Sequence, residues 1–308
     1  MKLVFLDEDS LGYDNIEEIR SLGDYTGYHL STYEEALERV AEADVIIVNK
    51  VRIDGPLMDR APKLKLIAET ATGVNNIDLE AAKERGIAVR NVAGYSTDAV
   101  VQSTFAHMLA LLTLTRYFDD RVKSGEYSAL PLFCDMSRQY TDIAGKTIGI
   151  IGMGAIGQKV ARIAEAFGMK VIYYSTSGTS HCTEYPSVSL EELLAEADVV
   201  SIHAPLNPKT KGLIGKQQFE LMKPTAIILN LGRGGIIVEK DLAEAINNET
   251  IAGAGLDVFE VEPLPADSPL LTVKFPDRLS LSPHTAWASK ESLKRLIHLS
   301  AENIRTFF

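Results

Sequence analysis

Short apolar runs and helical patterns take turns along almost the whole chain, and that alternation leaves few folds open. The runs at 2–6 (KLVFL), 44–48 (DVIIV), 64–68 (LKLIA) and 87–91 (IAVRN) read as strands. Those at 147–151 (TIGII), 170–174 (KVIYY), 198–202 (DVVSI), 225–229 (TAIIL) and 253–258 (GAGLDV) continue the series. Most are apolar on both faces, as strands of a parallel sheet covered by helices must be. Helical patterns fill the intervals, most clearly over 32–43 and 189–197. The second opens on Ser189 with Glu192 three positions on, which predicts a capping box. Such alternation predicts a doubly wound α/β architecture, and 308 residues suit two domains of that kind. Ala43-Asp44-Val45 returns as Ala197-Asp198-Val199, each time after an acidic helical segment, which fits two domains of similar build. A long helix is expected over 97–121, joining them. The segment 122–144 has no period and reads as an irregular arm or interface segment.

The formal charge is −11 and no Lys/Arg cluster stands out, so neither a nucleic acid nor an anionic membrane is an expected partner. An anionic substrate must then be held by a local positive site against the overall field. Cys134 and Cys182 are the only cysteines, without CxxC or metal-ligand spacing, which points to the cytoplasm and to no metal. The opening MKLVFLDEDS reaches acid at Asp7 and does not read as a signal peptide. The most apolar long stretch, Ala99 to Leu114, contains Gln102, Ser103, Thr104 and His107 and reads as a buried helix.

The strand at 147–151 leads directly into Gly152-Met153-Gly154-Ala155-Ile156-Gly157, and a helical pattern follows over 158–167. Gly152 permits the tight turn, Gly154 lets backbone approach a pyrophosphate, and Gly157 lets the helix lie close to the sheet. The helix N-terminus then offers free N–H groups to the anion. A glycine turn that binds nothing is the plain alternative, but the strand–turn–helix setting favours a dinucleotide in a Rossmann domain. The next strand tip reads Tyr174-Ser175-Thr176-Ser177-Gly178-Thr179. It has no acid for a ribose hydroxyl and no base for a 2′-phosphate. Ser175 is a candidate ribose contact, NAD is favoured, and NADP stays open.

Three further polar features follow strands of the same domain, where open α/β sheets build their sites. Arg233 is flanked by glycines in 229–235 (LNLGRGG) and can bind a carboxylate through two parallel hydrogen bonds. Asp257, Glu260 and Glu262 crowd one strand end, and Glu260 reads as solvated. His284 follows Pro283 after a short strand at 279–281.

Together these residues resemble the D-isomer-specific 2-hydroxyacid dehydrogenase family along essentially the whole chain. The resemblance is carried by Gly152-x-Gly154-x-x-Gly157, Asn230-x-Gly232-Arg233-Gly234, Leu256-Asp257-Val258-Phe259 with Glu262-Pro263, and Pro283-His284-x-Ala286. It implies that Arg233 binds the substrate carboxylate and keto oxygen, His284 is the acid/base, Glu262 is its partner, and Asp257 contacts the cofactor. The chemistry agrees: reducing a keto acid needs a hydride at carbon and a proton at oxygen, and a carboxylate bonded to imidazole favours the form that donates one. Arg233 would also stabilise charge developing on the oxygen.

The resemblance further implies that Thr104, His203, Ala204, Pro205, Thr210, Leu231, Gly232 and Ala286 line the cofactor. Backbone N–H groups of Thr72, Gly73 and Val74 would hold the substrate carboxylate, with Lys50 facing the same cleft. Trp287, in His-x-Ala-Trp, is similar to family members acting on glycerate and hydroxypyruvate, where its bulk would bound the pocket. His107 reads as structural; His29, His181 and His298 have no catalytic context.

The expected organisation is a discontinuous, flavodoxin-like substrate domain (1–97 and 286–308) around a Rossmann cofactor domain (98–285), closing on substrate. A homodimer built through the cofactor domains is implied. The family often continues into a short Gly/Pro-containing tail, and this sequence stops at Phe308. Hydroxypyruvate/D-glycerate is the favoured substrate pair, with glyoxylate possible and D-lactate the rival. A non-catalytic NAD(H)-sensing regulator is the rival of another class, and the intact Arg, Glu and His set weighs against it. Formate dehydrogenase should lack Glu262.

Overall fold

Apolar runs become strands where both of their faces are covered. The computed structural model describes residues 1–13, 15–179 and 182–308, so His181 lies outside the described residues. The chain divides into two units, Met1–Ser96 with Ala288–Phe308, and Thr97–Trp287.

The first unit holds β1 (Lys2–Phe5), β2 (Asp24–Gly27), β3 (Val45–Val48), β4 (Leu66–Glu69) and β5 (Ala88–Arg90), in the order β2-β1-β3-β4-β5. All pairs are parallel, and this is the flavodoxin-like strand order. β3 and β4 are buried at every position. Val4, Ile46, Val48 and Ile67 pack with Ala36, Val40, Leu57 and Ala82 from the flanking helices. β2 was not expected. Its sequence DYTG is half-exposed, as an edge strand paired only with β1 can be. The final helix, Lys290–Arg305, belongs to this unit and buries Leu293, Leu296, Ile297 and Ile304.

The second unit holds β6 (Thr147–Ile151), β7 (Lys170–Tyr174), β8 (Val199–Ile202), β9 (Ile227–Asn230), β10 (Gly253–Leu256) and β11 (Leu279–Leu281). The order is β11-β10-β9-β8-β6-β7, all parallel. A parallel bridge Tyr173↔Ser187 adds the remnant of a further strand beside β7, completing the Rossmann order. One register row, Tyr174–Ile151–Ile202–Asn230–Leu256–Leu281, crosses all six strands at their carboxyl ends.

Two local expectations need correcting. The helix expected over 97–121 is two helices, Thr97–Leu112 and Thr115–Lys123, separated by Leu114 in the left-handed region (φ 54°). The Thr113 N–H still bonds the Leu109 carbonyl at 2.9 Å, and helical bonding resumes with the Phe118 N–H on the Leu114 carbonyl at 3.1 Å. At Ser189 only the hydroxyl-to-Glu192 N–H half of the capping box forms; the reciprocal pair occurs instead at Thr32 and Glu35. The 122–144 segment contains one short 3-10 turn, Tyr127–Ala129, and exposes Leu132, Phe133, Met136 and Tyr140.

Candidate active site

The register row decides which side chains can meet, because each candidate of the second unit follows it by a few residues. Ser175 comes one residue after the row on β7, Gly152 one after on β6, and His203 one after on β8. Arg233, Asp257 and His284 follow Asn230, Leu256 and Leu281 by three, one and three residues on the adjacent strands β9, β10 and β11.

The glycine turn sits between β6 and β8, where the strand order reverses. A Cβ on Gly152 (φ 97°) would lie 2.8 Å from the Ala204 nitrogen, and one on Gly157 only 2.3 Å from the Gly152 carbonyl oxygen. A Cβ on Gly154 would meet nothing within 4 Å. Gly154 is the N-cap of the helix Ala155–Ala166, and no side chain caps it. The first-turn N–H groups of Ala155, Ile156 and Gly157 therefore point toward open space with the positive end of a helix dipole behind them. His203 bonds Ser201 through Nε2 at 2.8 Å, while its buried Nδ1 has no protein partner. Burial pushes its pKa down to about 4, so the ring is neutral near pH 7. An open glycine cradle, an uncapped helix and an orphaned ring nitrogen fit a dinucleotide phosphate and ribose group.

Other proposed cofactor contacts are committed within the protein. Thr104 is fully buried with its hydroxyl on the Val100 carbonyl. Thr210 donates to the Pro205 carbonyl and accepts the Asn207 N–H, shaping the 205–210 turn. Pro205 is exposed there, and Ala204, Leu231 and Ala286 are buried. The Ser175 and Ser177 hydroxyls both donate to the Thr179 carbonyl. Asp257, 1% exposed, accepts the N–H groups of Thr285 and Ala286 at 2.9 Å each, and the Ser282 hydroxyl.

His284 Nδ1 lies 2.7 Å from Glu262 Oε2. The ring is 28% exposed, and its Nε2 has no partner among the described residues. Glu262 is oriented by its other oxygen, which accepts the Phe259 N–H at 2.9 Å. On the neighbouring loop, Asn230 cages Gly232 and Arg233: its Oδ1 accepts the Gly232 N–H and its Nδ2 donates to the Arg233 carbonyl. The Arg233 guanidinium donates only to the Gly232 carbonyl and forms no ion pair among the described residues. The Arg233 and Glu262 loops touch at Gly234, where a Cβ would lie 1.7 Å from the Phe259 oxygen. Glu260 is not simply solvated. It accepts the Glu239 N–H at 2.8 Å while Glu239 accepts its own, and burial raises the Glu239 pKa.

Trp287 donates its indole N–H to the His284 carbonyl at 2.8 Å and packs on the core beneath the sheet. His107 bridges the hydroxyls of Ser280 and Ser282. His29 and His298 pair with Asp9 and Glu18 on the surface.

Lys50 and Thr72–Val74 lie in the first unit, at the carboxyl ends of β3 and β4. Thr70, Ala71 and Thr72 are tied to Val48, Val92 and Asn91, and Ile77 bonds back to Val74, whereas the N–H groups of Thr72, Gly73 and Val74 have no partner among the described residues. That is a nest of donors suited to a carboxylate. Two acids beneath it were not anticipated. Asp7, after β1, accepts the N–H groups of Asn49, Lys50 and Val51. Glu69, ending β4, accepts from Asn76 at 3.0 Å, and burial pushes its pKa up to about 8. Their only signal was acid at a strand end.

Among the described residues no His, Cys, Asp and Glu cluster is placed to hold a metal ion, and no helix is long and apolar enough to cross a membrane. Residues 105–286 match the family model described as D-isomer specific 2-hydroxyacid dehydrogenase, NAD binding domain. The hydroxypyruvate reductase of Blautia hydrogenotrophica is 36% identical, covering 100% of this chain and 97% of its own. The glycerate dehydrogenase of Methylorubrum extorquens is 37% identical, covering 99% and 96%. Among solved structures, D-lactate dehydrogenase from Aquifex aeolicus, complexed with NAD and lactic acid, superposes with a TM-score of 0.86 at 28% identity, covering 100% of this chain and 95% of that one. The Rossmann order, the glycine cradle and these matches agree: the chain belongs to the D-isomer specific 2-hydroxyacid dehydrogenases, oxidoreductases whose NAD-binding domain it carries.

Proposed function

We propose that this dehydrogenase interconverts hydroxypyruvate and D-glycerate, using NAD in preference to NADP and accepting glyoxylate as a further keto acid. The reading rests on one contact, the 2.7 Å bond between His284 Nδ1 and the Glu262 carboxylate, which leaves Nε2 as the working nitrogen. In reduction, protonated His284 gives its Nε2 proton to the keto oxygen; in oxidation, the neutral ring removes the hydroxyl proton. Glu262 holds the ring in the tautomer that presents Nε2 and offsets the charge it carries when protonated. Arg233 binds the substrate carboxylate with its planar fork and stabilises charge on the keto oxygen. In the first unit the Thr72–Val74 donors are suited to a carboxylate, with Lys50 a further candidate substrate contact, and in the second unit Trp287 is one as well. When bound, the nicotinamide supplies or accepts the hydride.

Support for the substrate comes from two relatives, a hydroxypyruvate reductase and a glycerate dehydrogenase, whose alignments span nearly the whole chain. The preference for NAD is supported by the absence of Lys or Arg over 175–179. A homodimer through the second unit is supported by the exposed apolar side chains of Leu132, Phe133 and Met136, a patch that a second copy would cover, and sedimentation reads it directly. The count of two cysteines without a CxxC or metal-ligand spacing is in keeping with the cytoplasm.

The test follows oxidation of NADH or NADPH with hydroxypyruvate, glyoxylate, pyruvate and phosphohydroxypyruvate. Hydroxypyruvate with NADH should give the highest kcat/KM. The His284→Gln variant should lose about 10²–10⁴-fold in kcat while its NADH affinity stays within about threefold. A near-normal rate in that variant refutes the acid/base assignment, and tight NADH binding without turnover of any keto acid supports the regulator instead.

A further inference from the structure

We propose that His107, on the helix Thr97–Leu112, is a positioning residue for His284, acting through Ser282 and Asp257. The proposal rests on the reading of His284 as the acid/base.

His284 occupies a backbone conformation that side-chain-bearing residues rarely adopt, with φ 55°. Such a conformation persists only where its surroundings enforce it. Four restraints do so. The His284 N–H bonds the Ser282 carbonyl at 3.1 Å, and its own carbonyl accepts the Trp287 indole N–H at 2.8 Å. The next two N–H groups, of Thr285 and Ala286, are held by the two oxygens of Asp257. Asp257 is the central member and is almost wholly buried, so its orientation depends on its remaining partner, the Ser282 hydroxyl.

The hydrogen bonds beyond Ser282 have only one self-consistent direction. A carboxylate only accepts, so the Ser282 hydroxyl proton points to Asp257. The Ser282 oxygen must then accept from His107 Nε2, 2.9 Å away. Burial keeps the His107 pKa low, and the neutral ring with its proton on Nε2 accepts from the Ser280 hydroxyl at Nδ1, 2.7 Å away. Ser280 thus donates to His107, His107 to Ser282, and Ser282 to Asp257, which holds the turn carrying His284. Gly255 on β10 makes room for this arrangement, because a Cβ there would lie 3.0 Å from that of His107. An apolar residue at 107 would fill the space and leave the Ser282 hydroxyl free to turn away from Asp257.

The experiment is a mutant cycle on the full-length protein, with kcat for keto-acid reduction as the readout. His107→Leu should lower kcat by about tenfold through displacement of the imidazole, with KM for NADH changed by less than about threefold. His107→Gln, which can donate to Ser282 and accept from Ser280, should recover most of the loss. In a His284→Gln background, His107→Leu should cost less than about twofold more, because the group it positions is gone. Ser282→Ala cuts the same chain one link later. It should reproduce the loss without adding to that of His107→Leu, and it serves in place of His107→Leu if that variant does not fold. Multiplicative losses in the double variants, or unchanged kcat in Ser282→Ala, overturn the proposal while leaving the role of His284 intact. A His284→Gln variant of near-normal rate overturns the acid/base reading, and the proposal with it.

Discussion

Replacing Glu69 with glutamine removes an ionisable group from the interior of the first unit with little change in shape, and the response of stability to pH can be worked out beforehand. Glu69 is 1% exposed, one of its oxygens has no partner, and the other accepts only from Asn76. Burial is the main cause of the rise in its pKa from 4.5 to about 8; the nearby Asp7 adds to it, and Asn76 and Lys50 oppose it. The folded chain therefore keeps this proton where the unfolded chain has lost it, between about pH 4.5 and about pH 8. Stability must fall as pH rises through that window, by about 1.4 kcal/mol per unit. From about pH 6 to about pH 9 the loss is about 2.5 kcal/mol, most of it below the folded-state midpoint. The amide introduced by Glu69→Gln can still accept from Asn76 and cannot ionise, so the variant lacks this slope. The Asp7 carboxyl, also raised by burial, contributes a slope of the same sign to both proteins and largely cancels in the difference. Urea unfolding followed by circular dichroism across this range measures that difference. The variant's stability advantage over the parent should grow by about 2.5 kcal/mol from the acid end of this range to the alkaline end. Parallel stability curves would refute the assignment of a neutral buried acid at this strand end.

Two glycines of the cofactor turn should separate folding from binding. Gly157→Ala drives a methyl into the Gly152 carbonyl and should cost about 1–3 kcal/mol of stability, read by thermal unfolding. Gly154→Ala meets nothing and should unfold normally, yet NADH affinity in a fluorescence titration should drop by about tenfold because the methyl occupies the space in front of the helix N-terminus. Normal NADH binding by Gly154→Ala would remove the turn from the cofactor site. Arg233→Lys keeps the charge and loses the planar fork, so KM for the keto acid should rise by about 10–100-fold while NADH affinity holds. An unchanged KM would take Arg233 away from the substrate.

Legibility in the sequence tracked burial. β6 and β7 match their expected spans because buried strands of a covered parallel sheet read as apolar runs. β2 was illegible because an edge strand answers only to β1, and Asp24-Tyr25-Thr26-Gly27 carries no such run. Arg233, Asp257 and His284 were legible as polar residues just past strands, and the register row explains why position alone placed them on one edge. The bond between Glu262 and His284, separated by 22 residues, came from family likeness and not from any local pattern. Side chains that answer to distant backbone left no trace. Asp7 serves N–H groups 42 to 44 residues away, and Glu260 reaches Glu239 across 21. The break at Leu114 falls at a left-handed backbone position, which no hydrophobic period records.

These acids also bear on how a chain of charge −11 can bind an anion. Loops that must leave room for a ligand cannot be fixed by burying apolar surface on that side, so hydrogen bonds have to hold them. A carboxylate is an efficient anchor because it accepts several bonds, each strengthened by its charge. Asp7 takes three N–H groups, Asp257 takes two and a hydroxyl, and Glu262 takes one in addition to the imidazole. Glu239 and Glu260 exchange theirs. Each negative charge is thereby met by donors of the chain, and none of these acids forms an ion pair with Arg233 among the described residues. The acidity that makes loops at the sheet edges rigid is thus directed inward, and the guanidinium keeps its charge for an incoming carboxylate.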